Sequence, residues 1–138
     1  MTGPTAEQIN EVLVGFDRLY GLELLEYSED QVSARVQVRD ELKQPMGLVH
    51  GGVYASIAEA MTSLATAFAV LPSGRTSMGL SNNTSFLRPV TEGYVHAEAT
   101  ALHKGRTTWV WEVRFSDDQE RLCALTRMTI AVREMPAG

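Results

Sequence analysis

The stretch from Gly51 to Leu71 constrains this chain more than any other. It is about 20 residues of mainly small and apolar side chains with a single carboxylate, Glu59, in their midst. As a helix it would extend roughly 30 Å, long enough to cross a bilayer. Ser56, Glu59, Thr62, Ser63 and Thr66 interrupt it, however, and a carboxylate at mid-membrane is costly. The expectation is a buried helix in a folded domain with no membrane partner, ended by Pro72, Ser73 and Gly74. At about 100° per residue, Ile57, Met61, Leu64 and Phe68 fall in one sector, and Ser56, Glu59, Thr62, Ser63 and Thr66 in the opposite one. A solvated stripe would carry several Lys, Glu and Arg. Small hydroxyls and alanines around one acid instead suit close approach by another protein surface. Glu59 then either sits at a solvated edge or subunit seam, or has a task that offsets the cost of placing it there.

The start of this helix is equally informative. His50-Gly51-Gly52 puts no bulky side chain over the first backbone N–H groups. Those groups, at the positive end of the helix dipole, can hold an oxygen that is gaining negative charge. Paired glycines also serve simply to admit a tight turn into a helix.

The rest of the chain reads as α+β. Thr5 caps a first helix running to about Tyr20, with Ile9, Val12, Leu13 and Phe16 at helical spacing and Gly21 as the stop. Leu22 to Tyr27 is a short strand. Val32, Ala34, Val36 and Val38 then alternate with polar residues as in a half-buried strand. Asp40 to Leu48, holding Pro45 and Gly47, is a loop. Behind the long helix come four strands, Ser77 to Phe86, Gly93 to His103, Arg106 to Ser116 and Arg121 to Arg133, with a tight hairpin at Lys104-Gly105. Trp109, Trp111, Val113 and Phe115 share one face, as sheet core or subunit contact. The order of helix, two strands, long helix and four strands predicts an antiparallel sheet packed on one central helix.

Several function classes are excluded on composition. The formal net charge is -5 and no run of Lys or Arg occurs, so nucleic acid is not an expected partner. Cys123 is the only cysteine, which rules out an intrachain disulfide and reads as a small core residue. His96 and His103 lack metal-ligand spacing with any Cys, Asp or Glu, so no metal is expected. No nucleophile-elbow serine or phosphate loop is visible. Residues Met1 to Gln8 lack the basic and apolar regions of a signal peptide, so a cytoplasmic protein is expected. Hydrophobic residues make up 44%, enough for one core in one domain spanning 1-138, with the core at about 20-133.

The segment Gln44-Pro45-Met46-Gly47-Leu48-Val49-His50-Gly51-Gly52-Val53-Tyr54-Ala55, followed by Glu59 and Ser63, resembles a known group. These are the hotdog-fold acyl-CoA thioesterases of the phenylacetate-pathway and Arthrobacter-type 4-hydroxybenzoyl-CoA kind. The segment is also similar to the 1,4-dihydroxy-2-naphthoyl-CoA and enterobactin proofreading thioesterases. The resemblance implies a hotdog fold, an antiparallel sheet wrapped around a long central helix with an N-terminal helix, and hydrolysis of an aromatic or medium-chain acyl-CoA. It implies that Glu59 is nucleophile or general base, that the Gly51 N–H polarises the thioester carbonyl, and that Gln44 and His50 orient the thioester and assist the leaving thiol. Ser63 would help hold the attacking water.

Gly51 and Glu59 are eight residues, roughly 12 Å, apart along one helix, too far to act on one carbonyl. In the resembled family, antiparallel central helices of a homodimer bring them together from two chains, commonly within a homotetramer. For coenzyme A, the only group of cofactor type implied and here part of the substrate, the resemblance points to Gly52, to Arg88, and to the hairpin His103, Lys104, Gly105, Arg106, Thr107 and Thr108. Arg133 is a weaker candidate. Two other readings stay open: a non-hydrolytic acyl-CoA binding module, and a hotdog dehydratase acting on a 3-hydroxyacyl thioester.

Overall fold

The computed structural model describes residues 3-136. Met1, Thr2, Ala137 and Gly138, and with them the outer limits of the expected 1-138 domain and the first residues read for a leader, lie outside the described residues. Six strands form one antiparallel sheet: β1 (Glu23–Tyr27), β2 (Gln31–Gln37), β3 (Arg75–Phe86), β4 (Tyr94–Lys104), β5 (Thr108–Ser116) and β6 (Leu122–Glu134). Their order in the sheet is β1-β2-β4-β5-β6-β3, so β3, although third in sequence, is an edge strand. Alternation decides which face is buried. Val32, Ala34 and Val36, then Val95, Ala97 and Ala99, then Trp109, Trp111, Val113 and Phe115 all point inward. This is the expected hotdog arrangement, a sheet wrapped on one long helix.

That helix, α3 (Gly51–Val70), buries Ile57, Ala58, Met61 and Ala65 against the sheet, which accounts for its apolar character. Its exposed face differs from the expected one. Thr62 and Thr66 are fully buried, not on the side of Glu59. The Thr62 hydroxyl donates to the Ala58 carbonyl at 2.8 Å and the Thr66 hydroxyl to the Thr62 carbonyl at 2.7 Å, so neither is left unpaired. Leu64 and Phe68, expected in the core sector, are only half-buried. The reason is geometric. The open stripe follows the i, i+4 row Ala55, Glu59, Ser63, Ala67, and such a row is inclined to the helix axis. Two turns beyond Glu59, Thr66 has passed under the sheet, where its Oγ1 accepts a 3.0 Å hydrogen bond from the Trp111 indole N–H. Thr66→Val leaves that buried N–H without a partner. We expect a loss of about 1–3 kcal/mol in urea unfolding, with Thr66→Ser close to wild type.

The N-terminal helix is also divided. The Thr5 capping box starts α1 (Ala6–Val12), and α2 (Gly15–Leu19) is separate. Leu13 and Val14 are extended and Gly15 has φ +65, a left-handed geometry that no right-handed helix can run through. The break turns Val12 and Phe16 outward while Ile9 and Leu13 stay in the core. Asn10 fixes the segment to β1 through two 2.8 Å bonds with the Leu24 backbone.

The hairpin between β4 and β5 is wider than expected. β5 begins at Thr108, and Gly105 N–H to the Thr108 carbonyl at 2.9 Å closes a loop of 105-107.

Candidate active site

Edge strand β3 runs antiparallel to α3 and meets its open row residue by residue. The Phe86 ring packs on Gly51, the Asn82 amide donates to the Ala55 carbonyl at 2.9 Å, and the Ser77 hydroxyl donates to the Ser63 carbonyl at 2.9 Å. Between these ties, the Glu59 carboxylate lies over Gly79. A Cβ at residue 79 would come within 2.3 Å of Glu59 Oε1, so only glycine leaves that carboxylate its place. The β3–β6 register also shifts between Gly79 and Ser81, bending the strand where the acid sits. Gly79 was not singled out from the sequence. An isolated glycine within a strand pattern was the available signal for a bulge or a close approach.

Glu59 is exposed and makes no ion pair among the described residues; its nearest polar partner is the Ser63 hydroxyl, 3.4 Å from Oε1. Together they line an open cleft of 710 Å³ whose remaining wall is largely apolar, with Phe16 of α2, Ala60, Leu64 and Ala67.

The helix start lines different space. His50 caps α3, its Nδ1 accepting from Gly52 N–H at 2.8 Å, and both residues border a groove against α2. The Val53 N–H returns to the His50 carbonyl. Gly51 N–H donates to no acceptor among the described residues, so it is the free donor of the first turn. Gly51, Gln44 and Arg88 share a second cleft of 490 Å³ with Tyr54, Phe86 and Cys123. Gln44 Oε1 accepts from the Met46 N–H within its own loop, fixing the side chain beside that cleft. Arg88 is exposed and has no ion-pair partner among the described residues. Thus Gln44, Gly51 and Arg88 come together, Glu59 and Ser63 come together, and the two groups do not meet within one chain.

The hairpin candidates lie elsewhere again. Thr107 is bonded to Val132 of β6, whereas Arg88 N–H is bonded to Cys123 of the same strand, about 30 Å of strand away. Lys104 pairs with Asp30 at 2.5 Å, which holds its ammonium pKa above the usual value. The carbonyl of Arg106 accepts from Arg75, and Arg133 donates to the Thr107 carbonyl. Thr108 and Gly105 close the turn, and His103 lies against Gly105. Arg106 is the hairpin cation without an ion pair among the described residues. His96 pairs with Asp118 at 2.7 Å.

Chemically, one cleft offers the Glu59 carboxylate beside the Ser63 hydroxyl, with a second carboxylate, Asp17, and apolar side chains on its wall, and the other a free helix N-terminal donor and a cation. Comparison with known proteins gives this arrangement a setting. Residues 46–124 match the pattern of the Thioesterase superfamily. A 1,4-dihydroxy-2-naphthoyl-CoA hydrolase of Listeria monocytogenes is 32% identical over 121 residues, covering 88% of this chain and 98% of the relative. The crystal structure of a Haemophilus influenzae thioesterase superposes with a TM-score of 0.91 at 33% identity, covering 99% of this chain and 98% of that one. A Pseudomonas aeruginosa thioesterase, solved as a mutant, gives 0.91 at 33% identity over 96% of each chain.

Proposed function

Because the chain belongs to the thioesterase superfamily, we propose that it is a cytoplasmic acyl-CoA thioesterase whose two sites per homodimer are each built from both chains. Within the superfamily we place it with the phenylacetate-pathway and Arthrobacter-type group, on Gln44, His50, Gly51, Glu59 and Ser63. The observation that carries the two-chain reading is that the Glu59 cleft and the Gly51 cleft have no lining residue in common. A carbonyl on the Gly51 N–H of one subunit then needs the Glu59 of another.

The free edge of β3 supports the same reading. It leaves Met78 and Leu80 more than half exposed, and a long edge strand with unpaired backbone N–H and C=O groups is a surface that a second copy would cover. A dimer of dimers is the full assembly proposed.

In this site the thioester oxygen takes the Gly51 N–H, and the acyl group lies along Phe16 and Leu64 beside Glu59. The Glu59 carboxylate adds to the carbonyl, or accepts a proton from the water that adds. The tetrahedral oxyanion is held by Gly51, and collapse expels the thiolate. On the water route this gives the free acid directly; on the other it gives an acyl–Glu59 anhydride, which water then hydrolyses to the free acid and the Glu59 carboxylate. Gln44 and His50 orient the thioester, Ser63 holds the water, and Arg88 pairs with the coenzyme A phosphates. The hairpin reaches the same nucleotide only across the assembly, given its distance from Arg88. An aromatic or medium-length acyl group suits the apolar cleft, and the Listeria relative is named for an aromatic one.

Thiol release from a panel of aromatic and medium-chain acyl-CoAs is the test. Turnover of at least one class is expected. Tight binding with no turnover across the panel would make the chain a binding module, and loss of water from a 3-hydroxyacyl ester without thiol release would make it a dehydratase.

A further inference from the structure

We infer that the Tyr54 hydroxyl is a substrate contact, donating a hydrogen bond to an amide carbonyl in the thiol arm of the bound thioester. The inference rests on the functional reading above and adds a residue to it. Tyr54 lies one helical turn beyond Gly51 and is 4% exposed. Its ring is wedged between Phe115, edge-on at 5.2 Å, and Phe86 at 6.1 Å, and Phe86 in turn packs on Gly51. The hydroxyl makes no hydrogen bond among the described residues. Tyr20, the other buried tyrosine, reaches both Asp17 and the Ser56 carbonyl.

No buried side-chain nitrogen or oxygen among the described residues is cut off from both solvent and a partner. The Tyr54 hydroxyl therefore keeps access to solvent, and the cleft that Tyr54 lines is shared with Gln44, Gly51, Phe86, Arg88 and Cys123. A phenol held rigidly in a largely apolar wall with no protein partner is a donor waiting for an acceptor. Burial, with the neighbouring Cys123 and Asp117, pushes its pKa up to about 12, so it keeps its proton at any working pH.

The acceptor follows from the two ends of the cleft. The Gly51 N–H takes the thioester carbonyl and Arg88 the phosphates. Between those points coenzyme A is a flexible arm whose strongest neutral acceptors are its two amide carbonyls. Tyr54 lines the same cleft as Gly51 and Arg88, and a helical side chain leans back towards the N-terminus, where Gly51 starts the helix.

The experiment compares wild type with Tyr54→Phe on two esters of one acyl group, the coenzyme A ester and the 2-mercaptoethanol ester, which has no amide. Phenylalanine keeps the ring packing. The expected result is a KM for the coenzyme A ester raised roughly three- to tenfold at unchanged kcat, with kcat/KM for the mercaptoethanol ester unaltered. An equal loss on both esters, or no change on either, would overturn the assignment, the first by showing a packing role and the second by showing no contact. A wild type that hydrolyses neither ester would overturn the functional reading itself, and Tyr54 with it.

Discussion

Glu59→Ala is expected to lower kcat for acyl-CoA hydrolysis by about 10²- to 10⁴-fold, the usual contribution of a positioned general base or carboxylate nucleophile. KM and the melting temperature should stay close to wild type. The structure gives the reason for that split. Glu59 is exposed in the single chain, has no ion pair among the described residues and hydrogen-bonds only to Ser63 at 3.4 Å, so its loss removes little that holds the fold together. The carboxylate nevertheless lies where Gly79 carries no side chain and the β3 register shifts, so the strand leaves room for it. Glu59→Gln keeps the shape and removes the charge. It should be nearly as inactive, and activity in Glu59→Gln near wild type would exclude both proposed roles.

Gly51→Pro is expected to cost about 10²- to 10³-fold in kcat, the range for losing one oxyanion donor. The substitution removes the N–H and little else of the helix. Proline is well accepted at the first helical position, and the preceding His50, at φ -61 and ψ 136, already has the extended backbone that a residue before proline adopts. Gly51→Ala is the control. It keeps the N–H but sets a Cβ 2.9 Å from the Phe86 ring, so it reports the steric share of the effect alone. A Pro variant no slower than the Ala variant would show that the donor lies elsewhere.

Much of this architecture was legible before the structure. The bounds of α3 and the strand sequence behind it follow from apolar periodicity and from glycine and proline punctuation, which are local signals. The misses share one cause, since each depends on how elements cross. Thr62 and Thr66 fall beside Glu59 on a helical wheel, but a wheel is drawn down the axis whereas β3 follows an inclined i, i+4 row. The first helix kept its period through Leu13 and Val14, and only the backbone geometry at Gly15 shows that it breaks. Gly79 is unremarkable in a strand until the acid of another element comes to rest on it. Arg88 and the hairpin at Lys104 looked equivalent as exposed cations near turns. Pairing along β6 places them far apart, and Asp30 engages one of them. The roles of Gln44, His50 and Ser63 came from resemblance to a family, not from their spacing.

The chemical step divides on whether Glu59 adds to the carbonyl or activates water. A single turnover in oxygen-18 water followed by mass analysis of the peptide holding Glu59 identifies the anhydride route when that side chain is labelled, since only water attack on the Glu59 carbonyl of an anhydride puts label there.

The central claim is that Gly51 and Glu59 of different chains serve one thioester, and subunit mixing addresses it most directly. Glu59→Ala and Gly51→Pro are each expected to be close to inactive alone. Unfolded together at equal amounts and refolded, half of the dimers carry one of each chain, and every such dimer has one site with a normal Gly51 and a normal Glu59. The two-chain site predicts recovery to about a quarter of wild-type activity per dimer. A mixture that exchanges subunits and stays as inactive as its parents would contradict it.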